Sequence, residues 1–409
     1  MNELKEMAVL KGIILGVLLV ILFLLWLLLD FTWGRHVHVK GKQNFSHPQR
    51  HSNIHIFTSG IDLFEDFFKE IKQAKRHIHV LFYIVKYDQF SQDFLNLLQS
   101  KAKNGLEVRL MVDWMGGFRI PYKRIKELRK NGVYFAYSCR PKLPFIFYSL
   151  QKRNHRKITV IDGQIGYLGG FNIGKEYIDM DPILHPWRDY HLKLQGEGVQ
   201  DLQFEFLHDW LAATKENLLS NKAYFPLTCI GKSRHQFIPT AGFGLEETLT
   251  TLIKQAKKSI IIGTPYFIPS PALFETLRSA IKNNIDVRII VPKKADHAFV
   301  KEASFPYFRI LIKEGAKVFQ FQRGFYHSKI LLIDDTICDI GTANFDRRSL
   351  FLNYEMNCLV YEPECIQEIK EKIQEDINYS TALPAASLAK IKVLESIKEK
   401  IAYTLSAFL

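Results

Sequence analysis

The stretch His155-Arg-Lys-Ile-Thr-Val-Ile-Asp162 has a counterpart in His327-Ser-Lys-Ile-Leu-Leu-Ile-Asp334, which lies 172 residues further along the chain. Each copy reads His-x-Lys-x4-Asp, and an asparagine follows each histidine by seventeen residues, at Asn172 and Asn344. One such triplet would be weak evidence, but two copies with matching asparagines are strong. Because paired His and Lys side chains are poor core fillers, the repeat indicates a functional site.

The repeat extends to the secondary structure around these motifs. Short β-branched runs alternate with helical patterns, which predicts an α/β fold, and the same order occurs twice. The predicted strand, helix and strand are His79–Val85, Phe94–Lys103 and Val108–Val112 in the first copy, and Ser259–Gly263, Leu273–Lys282 and Val287–Val291 in the second. A period of about 175 residues is too long for a solenoid. We therefore predict two duplicated α/β lobes, over 50–215 and 235–380, related by a pseudo-two-fold axis.

Composition fits two lobes but leaves the partner open. The 409 residues, 47% of them hydrophobic, are enough for two packed cores. A formal net charge of +13 implies an anionic partner, either nucleic acid or an anionic lipid surface. The cysteines are scattered and form no C-x-x-C pair, which predicts neither a disulfide scaffold nor a zinc site and fits a reducing compartment. They are Cys139, Cys229, Cys338, Cys358 and Cys365.

The amino terminus, residues 1–34, is predicted to be a membrane anchor. Gly12–Leu29 carries no charge and, as a helix, nearly spans the ~30 Å hydrocarbon layer of a bilayer. A cleaved signal peptide is the alternative, but no small-residue cleavage site follows the apolar run. The residues at its end are large or charged: Trp26, Asp30, Phe31 and Trp33.

A polar, His-rich connector over Arg35 to Asn53 follows the anchor. More basic residues follow the apolar run than precede it, so the positive-inside rule places the large domain in the cytoplasm of a single-pass protein in the cell membrane. The basic residues counted are Lys5 and Lys11 before the run, and Arg35, Lys40, Lys42 and Arg50 after it.

The carboxyl-terminal segment, 385–409, carries an apolar stripe at helical spacing with lysines on the other faces. It predicts an amphipathic helix, which either lies on a membrane surface or packs on its own domain. The stripe consists of Ile391, Leu394, Ile397, Ile401, Leu405 and Phe408.

The repeated motif suits chemistry on a phosphodiester. Residues two apart on a strand share a face, so each lobe presents an imidazole beside an ammonium group, His155 with Lys157 and His327 with Lys329. If the lobes meet about their axis, two lysines and the amides of two asparagines can hold a phosphate without a metal or cofactor. One imidazole then attacks phosphorus and the other donates a proton to the leaving oxygen, and the sequence leaves open which does which.

The two motif aspartates are predicted to have a supporting role. Asp162 and Asp334 each lie seven residues after their histidine, an odd interval that directs them to the opposite side of an uninterrupted strand. We therefore expect them to order the turn and its neighbours.

The pattern resembles the HKD phospholipase D superfamily over roughly residues 50–380. That resemblance implies a bilobal fold and a covalent phosphohistidine, with His155 as the nucleophile and His327 as the general acid that later becomes the base. It also implies an acidic residue downstream of each motif that pairs with a catalytic imidazole. The candidates are Asp189, in Trp187-Arg-Asp189, and Glu355, in Asn353-Tyr-Glu355, and an ordinary surface carboxylate is the alternative for each.

Within that superfamily, several blocks look like those of bacterial cardiolipin synthases, which implies that two phosphatidylglycerols are joined into cardiolipin with release of glycerol. One departure is the amino terminus, because many such synthases have two membrane spans and this chain shows one. The blocks are Lys152-Arg-Asn-His-Arg-Lys157, Gly169-Gly-Phe-Asn-Ile-Gly174, Pro186-Trp-Arg-Asp189, Thr264-Pro-Tyr-Phe-Ile-Pro269 and Gly341-Thr-Ala-Asn-Phe-Asp-Arg-Arg-Ser349.

Two further readings share this chemistry, a hydrolytic phospholipase D and an HKD nuclease. The apolar anchor favours phosphatidylglycerol and an anionic membrane surface as partners, and it disfavours nucleic acid. Aromatic and basic residues just before His155 form a candidate dock for anionic lipid, and a solvated basic loop is the alternative. They are Arg140, Lys142, Leu143, Phe145, Phe147, Tyr148, Lys152 and Arg153.

Overall fold

The computed structural model describes residues 2–294, 296, 300–384, 398–399 and 402. The amphipathic helix predicted over 385–409 therefore lies almost wholly outside the described residues. The helices are α1 (Asn2–Val39), α2 (Gly60–Gln73), α3 (Gln89–Lys103), α4 (Tyr122–Lys130), α5 (Ile146–Gln151), α6 (Gly198–Thr214), α7 (Leu245–Gln255), α8 (Pro271–Lys282), α9 (Val300–Glu314), α10 (Arg347–Phe351) and α11 (Pro363–Asn378).

The strands follow the duplicated order that the sequence predicts. In the first half they are β1 (Arg50–Phe57), β2 (His77–Phe82), β3 (Glu107–Asp113), β4 (Val133–Ser138), β5 (Ile158–Ile161), β6 (Ile165–Gly169), β7 (Trp187–Arg188) and β8 (His191–Gly196). In the second half they are β9 (Ser233–Ala241), β10 (Ser259–Gly263), β11 (Phe267–Ile268), β12 (Asp286–Pro292), β13 (Lys317–Phe321), β14 (Phe325–Tyr326), β15 (Ile330–Ile333), β16 (Ile337–Gly341), β17 (Phe345–Asp346), β18 (Tyr354–Val360) and β19 (Ser380–Ala382).

One continuous 15-stranded sheet contains both copies. From the centre outwards the first copy has the order β1-β8-β6-β5-β2-β3-β4, and the second has β9-β18-β16-β15-β10-β12-β13 with β19 at its edge. The copies meet where β1 pairs antiparallel with β9, from Arg50 opposite His235 to Ser52 opposite Ser233. The identical order on either side of this pair confirms the predicted duplicated α/β lobes and their pseudo-two-fold relation.

The lobes share a core in addition to having their own. One buried cluster lies in the first lobe and a second in the other, while a third draws on both, for example Leu81 and Met111 with Ile290 and Tyr326. Helix α6 contacts β5 and β8 of the first lobe as well as β9 of the second. The expectation of two separate cores is therefore incomplete, because pairing of β1 with β9 also brings apolar faces of both lobes together.

Local sequence explains why the elements begin and end as they do. Helix α8 begins after Ser270, whose side-chain oxygen accepts a hydrogen bond from the backbone N–H of Leu273, and Pro271 occupies its first turn. Its buried residues Leu273, Leu277 and Ile281 recur every four positions and form one apolar face. The structure gives strand β10 the bounds predicted for it, whereas β2 begins and ends a little earlier than predicted.

Helix α1 is longer than the predicted anchor. It continues to Val39, and β1 already begins at Arg50, so the predicted connector over Arg35 to Asn53 is shortened from both sides. The helix ends shortly before Gly41, which has a φ of +72° and suits a left-handed turn. The helix is long and apolar enough to cross a membrane, and its large apolar side chains from Ile13 to Leu25 are exposed.

Candidate active site

Two short backbone pairings between the lobes position the motif histidines. In one of them, β14 pairs with β7 in parallel, and the backbone N–H of His327 donates to the carbonyl of Arg188 at 2.7 Å. In the other, Asn154 forms an isolated parallel bridge with Tyr354, and the N–H of His155 donates to the Tyr354 carbonyl at 2.9 Å. His155 thus lies beside the residue that follows Tyr354, and His327 lies beside the residue that follows Arg188. In both cases that residue belongs to the opposite lobe.

Those following residues are the two candidate acids. His155 Nδ1 lies 2.9 Å from Oε2 of Glu355, and His327 Nδ1 lies 2.5 Å from Oδ2 of Asp189. The acid downstream of each motif therefore pairs with the histidine of the other lobe. Both carboxylates are buried, and neither is the surface carboxylate that the sequence allowed as an alternative.

The Glu355 carboxylate accepts several hydrogen bonds besides that of His155. Thr342 Oγ1 donates to Oε2 at 2.6 Å, Ser349 Oγ donates to Oε1 at 2.8 Å, and the Asn353 amide donates to Oε1 at 3.3 Å. Burial favours a higher pKa for Glu355, but His155, Lys157 and the hydrogen bond from Thr342 hold it below its ordinary value. The carboxylate is therefore ionised and fixed in orientation.

The Asp189 carboxylate has a different environment. The backbone N–H of Tyr190 donates to Oδ1 at 2.8 Å, and Lys329 Nζ lies 3.5 Å from Oδ2. A Cβ at Gly170 would lie 2.1 Å from Oδ1, so only glycine allows the turn to approach this closely. Burial raises the pKa of Asp189, but Lys329 and His327 outweigh it and hold the pKa below the usual range.

Burial lowers the pKa of both histidines, and their neighbours act differently on the two. At His155, Glu355 is the neighbour with the largest effect and opposes that of burial, while Lys157 and Lys329 add to it. At His327, Lys329 adds to the effect of burial, and the pKa falls to about 4 although Asp189 opposes it. In the absence of an anion both imidazoles are therefore neutral near pH 7.

The motif lysines lie behind their histidines. Lys157 and Lys329 are 1% and 4% exposed, and Nζ of each donates to the backbone carbonyl of its own histidine. Burial lowers the pKa of Lys157 to about 7 and that of Lys329 to about 8. Because a bound anion favours the charged ammonium, it would raise both values.

The two asparagines border the same cavity as the histidines. Asn172 Oδ1 accepts from the backbone N–H of Ile84 at 3.0 Å, and its amide donates to the Tyr177 hydroxyl at 3.2 Å. The Asn344 amide donates to Asp346 at 3.1 Å. These bonds hold both side chains at the wall of the cavity.

The motif aspartates lie away from the cavity, at the far end of their strands. Asp162 accepts hydrogen bonds from the backbone N–H groups of residues 75–77, and Asp334 accepts from those of residues 257–259. Both aspartates have a positive φ, 54° and 51°. Asp162 therefore fixes the turn before β2 against the end of β5, and Asp334 fixes the turn before β10 against the end of β15. Neither aspartate reaches the site of reaction.

A single cavity of about 650 Å³ brings together the residues from both lobes, including His155, Asn172, His327 and Asn344. Its other lining residues include Tyr83, Trp187, Tyr266 and Arg348. Sequence reasoning assigned no role to these four. The signal that could have found the tyrosines is their position, since each lies just beyond the carboxyl end of β2 or β10, next to the motif strand.

Two of these aromatic rings pack on the histidines. The Tyr83 and His155 centroids are 4.9 Å apart at 70°, and the Trp187 and His327 centroids are 4.9 Å apart at 53°. Lys157 Nζ also lies 5.5 Å from the centroid of Tyr83. The rings limit movement of the imidazoles and keep water from one face of each.

The predicted lipid dock before His155 divides between two cavities. Phe147 and Arg153 border the cavity that holds the histidines. The remaining residues border a separate cavity beside α1: Arg140, Lys142, Leu143, Phe145, Tyr148 and Lys152. The stretch is therefore not one surface, because helix α5 separates its two faces.

Comparison with known proteins identifies the family. A family model described as "Cardiolipin synthase, PLD-like domain" matches residues 67–184 and 249–377. The minor cardiolipin synthase ClsB of Bacillus subtilis is 40% identical over 399 residues, which cover 98% of this chain and 100% of that protein. Cardiolipin synthase 2 of Staphylococcus epidermidis is 36% identical over 394 residues, which cover 93% of this chain and 81% of that protein.

A solved structure supports the fold independently. The phosphatidylserine synthase of Haemophilus influenzae aligns with a TM-score of 0.71 at 17% identity, covering 88% of this chain and 97% of that one. At this identity the likeness bears on the fold alone.

Proposed function

Because the chain belongs to the cardiolipin synthase family of phospholipase D-like phosphatidyltransferases, we propose that it joins two phosphatidylglycerol molecules into cardiolipin and releases glycerol. The observation that carries this proposal is that both motif histidines border one cavity, each paired with a carboxylate from the other lobe. Two imidazoles on one phosphodiester supply a nucleophile and a proton donor together.

In the first step, His155 attacks the phosphorus of one phosphatidylglycerol. With Nδ1 held by Glu355, Nε2 is the nitrogen that forms the bond to phosphorus. The bond from phosphorus to the glycerol head group breaks, and the glycerol oxygen takes the proton of His327. Lys157 and Lys329, with the amides of the two motif asparagines, stabilise the charge that develops on the phosphoryl oxygens.

In the second step, the terminal hydroxyl of another phosphatidylglycerol gives its proton to His327 and attacks the same phosphorus. The bond from phosphorus to His155 breaks, which releases cardiolipin and restores both histidines. The reaction replaces one phosphodiester with another. Water must therefore be excluded from the site so that the lipid acceptor reacts instead. The aromatic and apolar side chains at the wall, such as Tyr83 and Phe147, favour a lipid acceptor over water.

Binding of the anionic substrate lets the site take up the missing proton from solvent. Both imidazoles are neutral in the free site, whereas the first step needs one of them protonated. A bound phosphodiester favours the charged forms of the histidines and lysines, so we expect proton uptake on binding.

Helix α1 keeps this cavity beside its substrate. We propose that the helix crosses the cell membrane once and that the lobes lie on the cytoplasmic side. An anionic membrane surface is then the partner of the basic chain.

The direct test is to incubate the purified full-length protein with phosphatidylglycerol in detergent, without added metal, and to identify the products. The proposal expects cardiolipin and glycerol in equal amounts. Phosphatidic acid as the only lipid product would instead identify a hydrolase. The His155→Ala variant serves as the control, because it should form neither product.

A further inference from the structure

A second cavity of about 280 Å³ lies on the other side of helix α5 from the histidines. The carboxyl-terminal end of α1 forms one of its walls through Gly34 and His38. The backbone N–H of Tyr148 in α5 donates to Asp30 of α1 at 2.8 Å, and a Cβ at Gly34 would lie 2.6 Å from that of Tyr148. The cavity is therefore built where the long apolar helix joins the first lobe.

The cavity has a positive charge that its own walls do not neutralise. Arg140, Lys142 and Lys152 border it, and within the described part of the chain none of them has a carboxylate at ion-pair distance. The one carboxylate in the lining, Asp209, already accepts hydrogen bonds from Arg156 and Asn154. Burial lowers the pKa of Lys152, and Lys142 lowers it further. The charged form of the cluster is therefore unfavourable until an anion binds beside it.

Two buried hydroxyl groups in the same walls have no hydrogen-bond partner among the described residues. They belong to Tyr148 and Ser138, which are 4% exposed each. Buried polar groups in proteins are nearly always satisfied, and leaving one unpaired costs about 1–3 kcal/mol. Two unpaired hydroxyl donors beside three basic side chains indicate a ligand that carries acceptor oxygens.

The position of the cavity identifies the source of that ligand. The apolar run of α1 ends at Leu29, so Gly34 and His38 lie roughly 7 and 14 Å further along the helix at ~1.5 Å per residue. That is the depth of the head groups if the apolar run fills the hydrocarbon layer. Leu143 at the rim of the cavity is 82% exposed, which suits contact with an acyl chain.

We propose that this cavity binds the phosphate of an anionic phospholipid that does not react. The bound lipid is distinct from both substrates of the proposed reaction, since the catalytic lysines and histidines lie across α5. The inference rests on the placement of α1 in a membrane and not on the reaction. A lipid in this cavity would hold α5 in place, and α5 also contributes Phe147 to the wall of the active site.

The test uses the full-length His155→Ala protein in nanodiscs of phosphatidylcholine, where turnover is absent. The probe is phosphatidic acid with a photoreactive diazirine on one acyl chain, and adducts are mapped by mass spectrometry. We expect saturable labelling of residues 140–145 and of the end of α1. Unlabelled phosphatidic acid should compete, whereas inorganic phosphate in excess should not.

Variants then separate this cavity from general membrane attraction. Arg140→Gln with Lys142→Gln should weaken the apparent affinity for the probe by about 30-fold, since each basic residue near a lipid surface contributes about fivefold. The matched control is Lys123→Gln with Lys130→Gln, which removes the same charge from exposed positions of α4 and should leave labelling unchanged.

A third variant allows the proposal to be tested even if the double variant fails to fold. Tyr148→Phe removes an unpaired hydroxyl, so the melting temperature of the lipid-free protein should stay the same or rise, while the affinity for the probe falls about 5-fold. The proposal is wrong if labelling is equal in the double variant and its control, or if phosphatidylcholine probes label as well. Displacement of the probe by inorganic phosphate would identify a free-phosphate site instead.

Discussion

The two halves of the active site share one backbone geometry and differ in their electrostatics. The Glu355 carboxylate beside His155 accepts from three further side chains, whereas the Asp189 carboxylate beside His327 faces a glycine turn and Lys329. Among the charged neighbours, the largest effect on the pKa of His155 is that of Glu355, which favours the cationic ring, whereas the largest effect on the pKa of His327 is that of Lys329, which favours the neutral ring.

We infer from this difference that His155 carries the covalent bond and that His327 transfers the proton. A phosphohistidine carries positive charge on its ring, which a fixed and fully hydrogen-bonded carboxylate accommodates. A lowered pKa makes His327 a strong acid once it has taken up a proton from solvent on binding of the anionic substrate. The predictions below test this division of roles.

The largest expected effect comes from removing the histidines one at a time. With phosphatidylglycerol, His155→Ala should abolish turnover, and His327→Ala should lower kcat by about 10²- to 10⁴-fold. A phosphatidyl ester with a nitrophenol head group needs no proton for its leaving oxygen, so cleavage of this ester should recover in His327→Ala alone. Recovery in His155→Ala would reverse the roles, and the measurement is the release of nitrophenol.

Loss of either carboxylate should lower kcat somewhat less than loss of a histidine. Glu355→Gln and Asp189→Asn keep the shape of each side chain and remove its charge, and we expect kcat to fall by about 10²- to 10³-fold in each. If the pairing across the lobes is right, Asp189→Asn combined with His327→Ala, which keeps measurable turnover, should be no worse than His327→Ala alone. Additive losses measured in that double variant would contradict the pairing.

The pH dependence should reflect the buried lysines. The first step also needs a proton on a histidine that is neutral in the free site, so kcat/KM should already fall with rising pH near neutrality. Because Lys157 and Lys329 must be charged to hold the phosphate, the fall should steepen as the pH rises through about 7 to 8, the values to which burial lowers their pKa. The decline should approach about tenfold per pH unit for each proton lost. Lys329→Arg, which stays charged, should remove part of the decline, and a flat profile from neutral to alkaline pH would contradict this account.

The smallest expected effect concerns one hydrogen bond to the Glu355 carboxylate. Thr342→Ala removes a single hydrogen bond to Glu355 and should lower kcat by about 3- to 10-fold. Thr276→Ala, on an exposed face of α8, is the matched control and should leave kcat unchanged. An equal loss in both variants would mean that the effect comes from stability and not from Glu355.

The sequence predicted much of this site because its elements repeat. The duplicated strand order and the paired motifs are legible from spacing, whereas the two candidate acids follow from the resemblance to the HKD superfamily. The spacing does not reveal which acid meets which histidine, since Asp189 follows His155 along the chain yet pairs with His327. That exchange depends on the parallel pairings between the lobes, which involve only one or two residues each and leave no periodic signal.

The same limit applies to the sheet and to the lipid dock. Nothing in the composition of β1 or β9 indicates that they pair with each other and merge the lobes into one sheet. The stretch from Arg140 to Arg153 reads as one basic and aromatic surface, but the six-residue helix α5 turns alternate side chains into different cavities. Both features arise from tertiary packing, so the local sequence does not predict them.

The central claim is that one phosphorus atom becomes bonded to His155 while His327 serves it from the opposite lobe. The most direct measurement is to quench the reaction of the His327→Ala protein, given the phosphatidyl nitrophenol ester radiolabelled in its phosphate, and to map the label after digestion. Phosphohistidine survives alkali, so we expect an alkali-stable label on the peptide that contains His155. A label on another peptide, or turnover with no covalent label in either the variant or the parent protein, would contradict the account.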